Sequence, residues 1–215
     1  MLGTHPLARV ANLWRYPIKS LAAEPLERGE LRPDGFAGDR HAAMFVTTPD
    51  RPRSGKPYRG KEHPLLHTVR DPDAAAGLAR ARETEVARRD AGPYFDLDPV
   101  SILFDTWLAD VERVIGMELD PLRFRPNIFA RAANGYDAPE ADLVGRIVRI
   151  GDVRLRITQP IERCVTPTYD IATGASEPRV LTHLARHRKN EMGVYAHVVT
   201  PGTIAPGDTL ELEPR

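Results

Sequence analysis

Cys164 is the one cysteine in the chain and sits in the segment Pro160-Ile161-Glu162-Arg163-Cys164. A polar cluster, Arg125-Pro126-Asn127, lies upstream of it, and a third, Tyr16-Pro17-Ile18-Lys19-Ser20, lies near the N-terminus. A thiolate selects soft metals, whereas arginine and lysine suit oxyanions. One soft thiol with several such anchors suggests a site that holds a metal on an anionic organic cofactor. A single cysteine is most often a small buried hydrophobe, so the weight of this reading falls on its neighbours.

Other common chemistries find no support. There is no Gly-x-Gly-x-x-Gly loop, no Gly-x-x-x-x-Gly-Lys-Ser/Thr loop and no Cys-x-x-Cys pair, which argues against dinucleotide fingerprints, P-loops, zinc ribbons and iron–sulfur clusters. His63 and His67 stand four apart, but Pro64 between them breaks the helix that a metal pair would need. His183 and His187 share that spacing on a predicted helix without a His-Glu-x-x-His carboxylate, and they read as surface residues. A Cys–His hydrolase around Cys164 is conceivable, although no sequence feature selects its histidine.

The elements that must position these residues are mostly strands, punctuated by 20 prolines and 16 glycines. Strands are expected over Val10 to Tyr16, Leu26 to Leu31 and His41 to Val46, and two brief ones over Tyr94 to Phe104. Pro49 to Pro64 is basic and proline-rich, hence a loop, either solvated or facing a cofactor as a lid. Asp73 to Arg82 predicts a short helix. Asp105 can cap a second over Thr106 to Ile115, with Trp107, Leu108, Val111, Val114 and Ile115 inward and Gly116 as its stop. Leu122 to Phe129 reads as a strand interrupted by Pro126, an edge or a bulge. Arg146 to Ile150 and Val153 to Ile157 alternate around Gly151-Asp152, a hairpin whose arginines face water. A helix over Glu177 to Arg188 turns Val180, Leu181 and Leu184 inward. Strands over Val194 to Val199 and Thr209 to Leu212 close the chain. The expected class is mainly β, a β-barrel or partly open sheet with a few peripheral helices.

Bulk properties narrow the function. The 30 basic and 30 acidic residues give no net charge, which argues against broad attraction to nucleic acid. No apolar run reaches a membrane span, and the start lacks signal-peptide character. The expectation is a cytoplasmic protein without internal disulfides.

Four motifs occur in order: Tyr16-Pro17-Ile18-Lys19-Ser20, Gly35-Phe36-Ala37-Gly38-Asp39-Arg40, Phe124-Arg125-Pro126-Asn127-Ile128 and Arg163-Cys164, followed by Pro201-Gly202-Thr203-Ile204 and Gly207-Asp208. This order resembles the MOSC family, the domain at the C-terminus of molybdenum cofactor sulfurases. It is closest to members with an N-terminal β-barrel segment, such as the mitochondrial amidoxime-reducing component. The resemblance spans about residues 8 to 212. It implies an N-terminal barrel-like segment over 8–95 and the MOSC domain proper over 96–212, or one compact unit. It implies that Cys164 is the catalytic thiolate ligand to molybdenum, and that Lys19, Ser20, Arg40, Thr106, Arg125, Asn127 and Arg163 bind molybdenum cofactor (molybdopterin). The implied activity is reduction of small N-hydroxylated compounds with an external electron-transfer protein or reductase. A cofactor or sulfur carrier serving an acceptor enzyme, or an interaction module with a structural cysteine, are the alternatives. Two departures stand out. Trp107 replaces one of two hydroxyl residues expected beside Thr106, and the Pro49 to Pro64 loop lacks the family's Thr-x-Arg stretch, for which Lys56 or Arg59 would substitute. No pyridoxal phosphate domain is present, so no sulfur mobilisation is expected of this chain.

Overall fold

The computed structural model describes residues 5–133 and 136–214. Seven strands close into a barrel in the order Thr209–Leu212, Ile147–Ile150, Val153–Glu162, Glu191–Thr200, Val100–Phe104, Ile128–Ala132 and His5–Arg15, the last pairing back onto the first. Closure removes the exposed edges that an open sheet would leave. All neighbours are antiparallel except Val100–Phe104 and Ile128–Ala132. A parallel pair needs a long crossover, and the helix Asp105–Ile115 lies in that crossover. The N-terminal strand is thus part of the same barrel as the strands of the C-terminal half.

Sequence alternation explains the barrel wall. Ile147–Ile150 and Val153–Glu162 form the expected hairpin about Gly151, whose φ of 58° suits a glycine-first turn. Val148, Ile150, Val153, Leu155 and Ile157 are buried, while Arg149 pairs with Glu211 and Arg154 bonds Glu213 at 2.7 and 2.8 Å. In His5–Arg15 the period of two is broken. Register shifts after Pro6 and Val10 let Leu7 and Ala8, and then Leu13 and Trp14, all be buried, which is the effect of β-bulges.

Among the described residues there are three α-helices: α1 (Pro72–Arg80) packs on the small sheet outside the barrel, whereas α2 (Asp105–Ile115) and α3 (Arg179–His187) pack on barrel strands. Asp71 caps α1 by accepting from the Ala74 N–H at 3.0 Å. Asp105 does not cap α2. It is the first helical residue, and its carboxylate accepts the Ala132 N–H at 2.8 Å, tying the helix to the barrel. Gly116, at φ 70°, ends α2 as its sequence predicts. Val114 is 53% exposed rather than inward. His183 is buried rather than on the surface, with Nε2 3.3 Å from Asp110 Oδ2. Asp110 lies on α2, so no local pattern around His183 announces it.

Other departures have similar local causes. The expected strand from Leu122 is a 3-10 turn, Pro121–Phe124, because Asp120 accepts the Leu122 N–H at 2.8 Å and Pro121 occupies the first position. The strand begins only at Ile128 and pairs on both sides, so Pro126 precedes an interior strand. Of the two strands expected over Tyr94 to Phe104, only Val100–Phe104 forms, and the polar strand Val86–Arg89 was not anticipated.

A second, smaller core contains Ile18, Leu21, Ala42, Met44, Val46, Tyr58, Leu66, Ala75 and Ala79. It underlies Ile18–Lys19, which pairs with Ala42–Val46, and it packs beside the barrel. No helix among the described residues is long and apolar enough to cross a membrane.

Candidate functional site

A cleft of about 370 Å³ opens where the two cores meet. The N-terminal half supplies Lys19, Ser20, Arg40, Arg59 and Lys61, and the barrel supplies Ser101, Arg123, Arg125, Arg163, Cys164, Thr166 and Tyr195. Six of the expected site residues, Lys19, Ser20, Arg40, Arg125, Arg163 and Cys164, therefore line one cleft despite their separation in sequence. The lining holds seven basic side chains, at 19, 40, 59, 61, 123, 125 and 163, against two acidic ones, Asp96 and Glu162. A chain with no net charge thus concentrates positive charge in one concavity.

The cleft is built on unusual backbone. Ser20, Arg40 and Arg125 have φ of 71°, 50° and 52°, three of the seven non-glycine residues at positive φ among those described. Non-glycine residues pay for such conformations and keep them only where surrounding structure enforces them. That enforcement is visible beneath the cleft floor. Buried Asp39 accepts the Tyr16 N–H at 2.6 Å and the Asn127 amide at 3.1 Å, and it pairs with Arg40. The Tyr16 hydroxyl donates to the Pro126 carbonyl at 2.9 Å. Its ring lies 4.2 Å from the Arg125 guanidinium and 4.7 Å from that of Arg40, distances at which cation–π attraction operates. The three N-terminal and central motifs interlock here.

Asn127 belongs to this foundation rather than to the lining. It is fully buried, and its Oδ1 accepts from Ser101 N at 3.1 Å and Ser101 Oγ at 2.9 Å. Its Nδ2 donates to Trp14 O at 3.2 Å as well as to Asp39. Thr106 is also outside the cleft: it lies on α2 and donates to the Tyr136 carbonyl at 3.0 Å.

Arg163 lines the cleft but spends its donors on main-chain carbonyls, Phe124 O at 2.7 Å and Met192 O at 2.8 Å. Gly193 permits this approach, since a Cβ there would stand 2.8 Å from Ile102 O and 3.2 Å from Arg163 Nη2. Cys164 follows the barrel strand Val153–Glu162 and is exposed, its Sγ 3.2 Å from Thr166 Oγ1. The turn after it, Thr166–Thr168, is held by Arg123, which donates to Thr168 O at 3.0 Å and to Asp170 Oδ2 at 2.9 Å.

Electrostatics match an anion site. Burial pulls Arg125 down to about 10, with Arg40 beside it adding to the effect and Tyr16 opposing it. Burial also pulls Arg163 down to about 10. Arg40 is raised instead: its burial is the largest single effect and lowers it, but Asp39, Tyr16, Asp96 and Tyr195 together outweigh that burial. Asp96 resists burial through Lys19, whose Nζ lies 2.6 Å from Oδ1, and stays below the usual carboxylate range. Arg125 Nη2 is buried and has no hydrogen-bond partner among the described residues. An arginine with a spare buried donor is stabilised by an incoming anion.

Sequence reasoning did not single out Arg123, Lys61, Asp96, Thr166 or Tyr195. Arg123, two residues before Arg125, was within reach of the argument, whereas the others enter only through the fold. Among the described residues no group of three or more His, Cys, Asp or Glu side chains could hold a bare metal ion. His63 and His67 are both buried, and they form no such group.

Comparisons with known proteins converge on one family. The family model described as "MOSC domain" matches residues 94–211, and that described as "MOSC N-terminal beta barrel domain" matches 7–86. The chain is 30% identical over 170 residues to human mitochondrial amidoxime-reducing component 1, covering 73% of this chain and 47% of that protein. The mouse protein of the same name is 26% identical over 155 residues, covering 66% and 44%. The chain thus spans about half the length of these relatives. Among solved structures, the YUAD protein of Bacillus subtilis superposes with a TM-score of 0.59 at 14% identity, covering 98% of both chains. YiiM of Escherichia coli superposes at 0.50 and 12% identity, covering 98% of this chain and 71% of that one. Those two likenesses concern the fold alone.

Proposed function

The chain belongs to the MOSC family, and from that premise we propose that its cleft binds molybdenum cofactor and that it reduces N-hydroxylated compounds with electrons from a separate redox protein. The observation that carries this reading is the joint lining of the cleft by an exposed thiol and seven basic side chains. A single thiolate cannot complete a metal's coordination, so the remaining ligands must arrive with an organic group. The residues fit a group of that kind. Cys164 offers a soft ligand, and the basic lining neutralises a phosphate.

When bound, the cofactor supplies two-electron removal of oxygen from substrate. The chain's residues do the rest. Cys164 would ligate the metal from the end of a barrel strand, a rigid support. Lys19, Arg40, Arg59 and Arg125 would hold the anionic tail, with Ser20 offering a hydroxyl. Asn127 and Arg163 would act indirectly, by fixing Arg40 and the Cys164 segment. Thr106 has no part in this proposal. Reduction of a hydroxylamine to an amine and water consumes two electrons and two protons. The sequence carries no nicotinamide or flavin fingerprint and no iron–sulfur ligand set, so the donor is taken to be another protein. An exposed, unpaired thiol suits reducing surroundings, and we place the activity in the cytoplasm.

The test is metal analysis of protein made in a host with active cofactor synthesis. Wild type retains molybdenum, and Cys164→Ser loses it while unfolding at the wild-type midpoint. Equal molybdenum in both would overturn the ligand assignment, and loaded protein that turns over no hydroxylamine with an artificial donor would favour a carrier.

A further inference from the structure

A second cavity, of about 330 Å³, lies behind Arg125 and is lined by Tyr16, Ala22, His67, Arg70, Leu122 and Arg125 among others. It holds no acidic side chain, and Arg125 is the one residue it shares with the first cleft. His67 is 7% exposed, and its Nε2 lies 3.3 Å from the Asp170 carbonyl oxygen. A carbonyl only accepts, so the proton sits on Nε2 and Nδ1 is left as a bare acceptor. That Nδ1 is buried and has no hydrogen-bond partner among the described residues, and the same holds for Arg125 Nη2. Burial, with Arg125 nearby, pulls His67 down to about 4, so the ring is neutral at pH 7. The ring is held in place by stacking on Tyr169, centroids 6.2 Å apart and 13° from parallel.

The cavity therefore presents one buried acceptor without a donor, His67 Nδ1, and one buried donor without an acceptor, Arg125 Nη2, with the exposed Arg70 as a second cation in its lining. A protonated phosphate carries both functions on one centre. We propose that this second cavity binds a phosphate group in its hydrogen-phosphate form, with Arg125 and Arg70 on the anionic oxygens and His67 Nδ1 accepting from the phosphate hydroxyl. Sulfate has the same shape and charge at pH 7 but no hydroxyl. It would leave Nδ1 facing an acceptor, and the site binds it more weakly.

The test uses the full chain with its histidine rings labelled with ¹⁵N, titrated separately with inorganic phosphate and with sulfate at pH 7. The His67 Nδ1 resonance is expected to shift saturably with phosphate, about tenfold more tightly than with sulfate. His67→Phe keeps the stacked ring and removes the acceptor. In that variant, binding at this site is followed on the ¹⁵N-labelled Arg70 side chain, and the preference for phosphate disappears. Arg70→Gln, at an exposed position, weakens phosphate binding several-fold and serves if His67→Phe does not fold. Arg186→Ala, at an exposed position on α3 outside both cavities, leaves the His67 response unchanged. Phosphate bound equally by molybdenum-loaded and molybdenum-free protein identifies a free ligand. Binding by the molybdenum-free form alone identifies the phosphate of the molecule held in the first cleft. A His67 signal unmoved by phosphate in the molybdenum-free protein, or moved equally by sulfate, overturns the proposal, whatever the outcome for molybdenum retention.

Discussion

Replacing Asn127 with alanine separates two roles that its sequence motif leaves merged. If Asn127 is foundation, the loss falls on the fold; if it touches a ligand, the loss falls on binding. The side chain makes five hydrogen bonds, four in a fully buried network with Ser101 N, Ser101 Oγ, Trp14 O and Asp39 Oδ2, and a fifth, longer one accepted from Arg40 Nη1 at 3.4 Å. Each contributes roughly 1 kcal/mol net, and the stranded Ser101 N–H adds a desolvation cost of about 1–3 kcal/mol. The Ser101 hydroxyl can turn toward the Arg125 carbonyl, now 3.4 Å away, and recover part of this. Shared partners make the terms less than additive, so the expected destabilisation is about 3–5 kcal/mol. For a chain of this size that lowers the thermal midpoint by about 10 °C. Denaturant unfolding of metal-free protein reads the effect without any cofactor. Arg40, relieved of the packing that holds it at positive φ, should then lose its position, and molybdenum retention should fall as a secondary effect. An Asn127→Ala protein with a wild-type unfolding midpoint but no molybdenum would refute this reasoning and make Asn127 a direct ligand contact.

Further outcomes follow from neighbouring geometry. His67 is a base whose pKa falls from an ordinary 6.5 unfolded to about 4 folded, so the unfolded chain binds the extra proton. Its contribution to stability is complete above pH 6.5 and is lost as pH drops toward 4, about 3 kcal/mol in all; His67→Phe should flatten that part of the stability–pH curve, and an unchanged slope would refute it. Thr106→Val removes the bond to Tyr136 O and should cost about 1 kcal/mol of stability with molybdenum content unchanged; metal loss without destabilisation would return Thr106 to the site. Turnover with nicotinamide should require a reductase system, and neutralising exposed Arg51 and Lys56 should slow partner-dependent turnover chiefly at low salt. Full rate with nicotinamide alone would end the partner requirement, and a rate indifferent to both substitutions would show that the partner does not dock on the loop that carries Arg51 and Lys56.

Periodicity and punctuation alone determined much of this protein. The alternation of Ile147–Ile150 against Val153–Glu162, the helical stripe ended by Gly116, and the preponderance of short strands announce a β-barrel with few helices, because side-chain period and turn chemistry are local properties. The order of the Tyr16, Asp39-Arg40, Arg125 and Cys164 motifs likewise announced the family. Where each motif residue sits was decided only in three dimensions. Asn127 and Arg125 are two apart, yet one is sealed among Ser101, Trp14 and Asp39 while the other borders two cavities. The difference arises because Arg125 adopts a left-handed conformation, which follows a 3-10 turn, and the chain enters an interior strand directly after Asn127. Asp110 meets His183, and Asp170 meets both Arg123 and His67, across dozens of intervening residues. Burial and partners of that kind depend on which distant segments the barrel brings together. A local pattern carries no record of them.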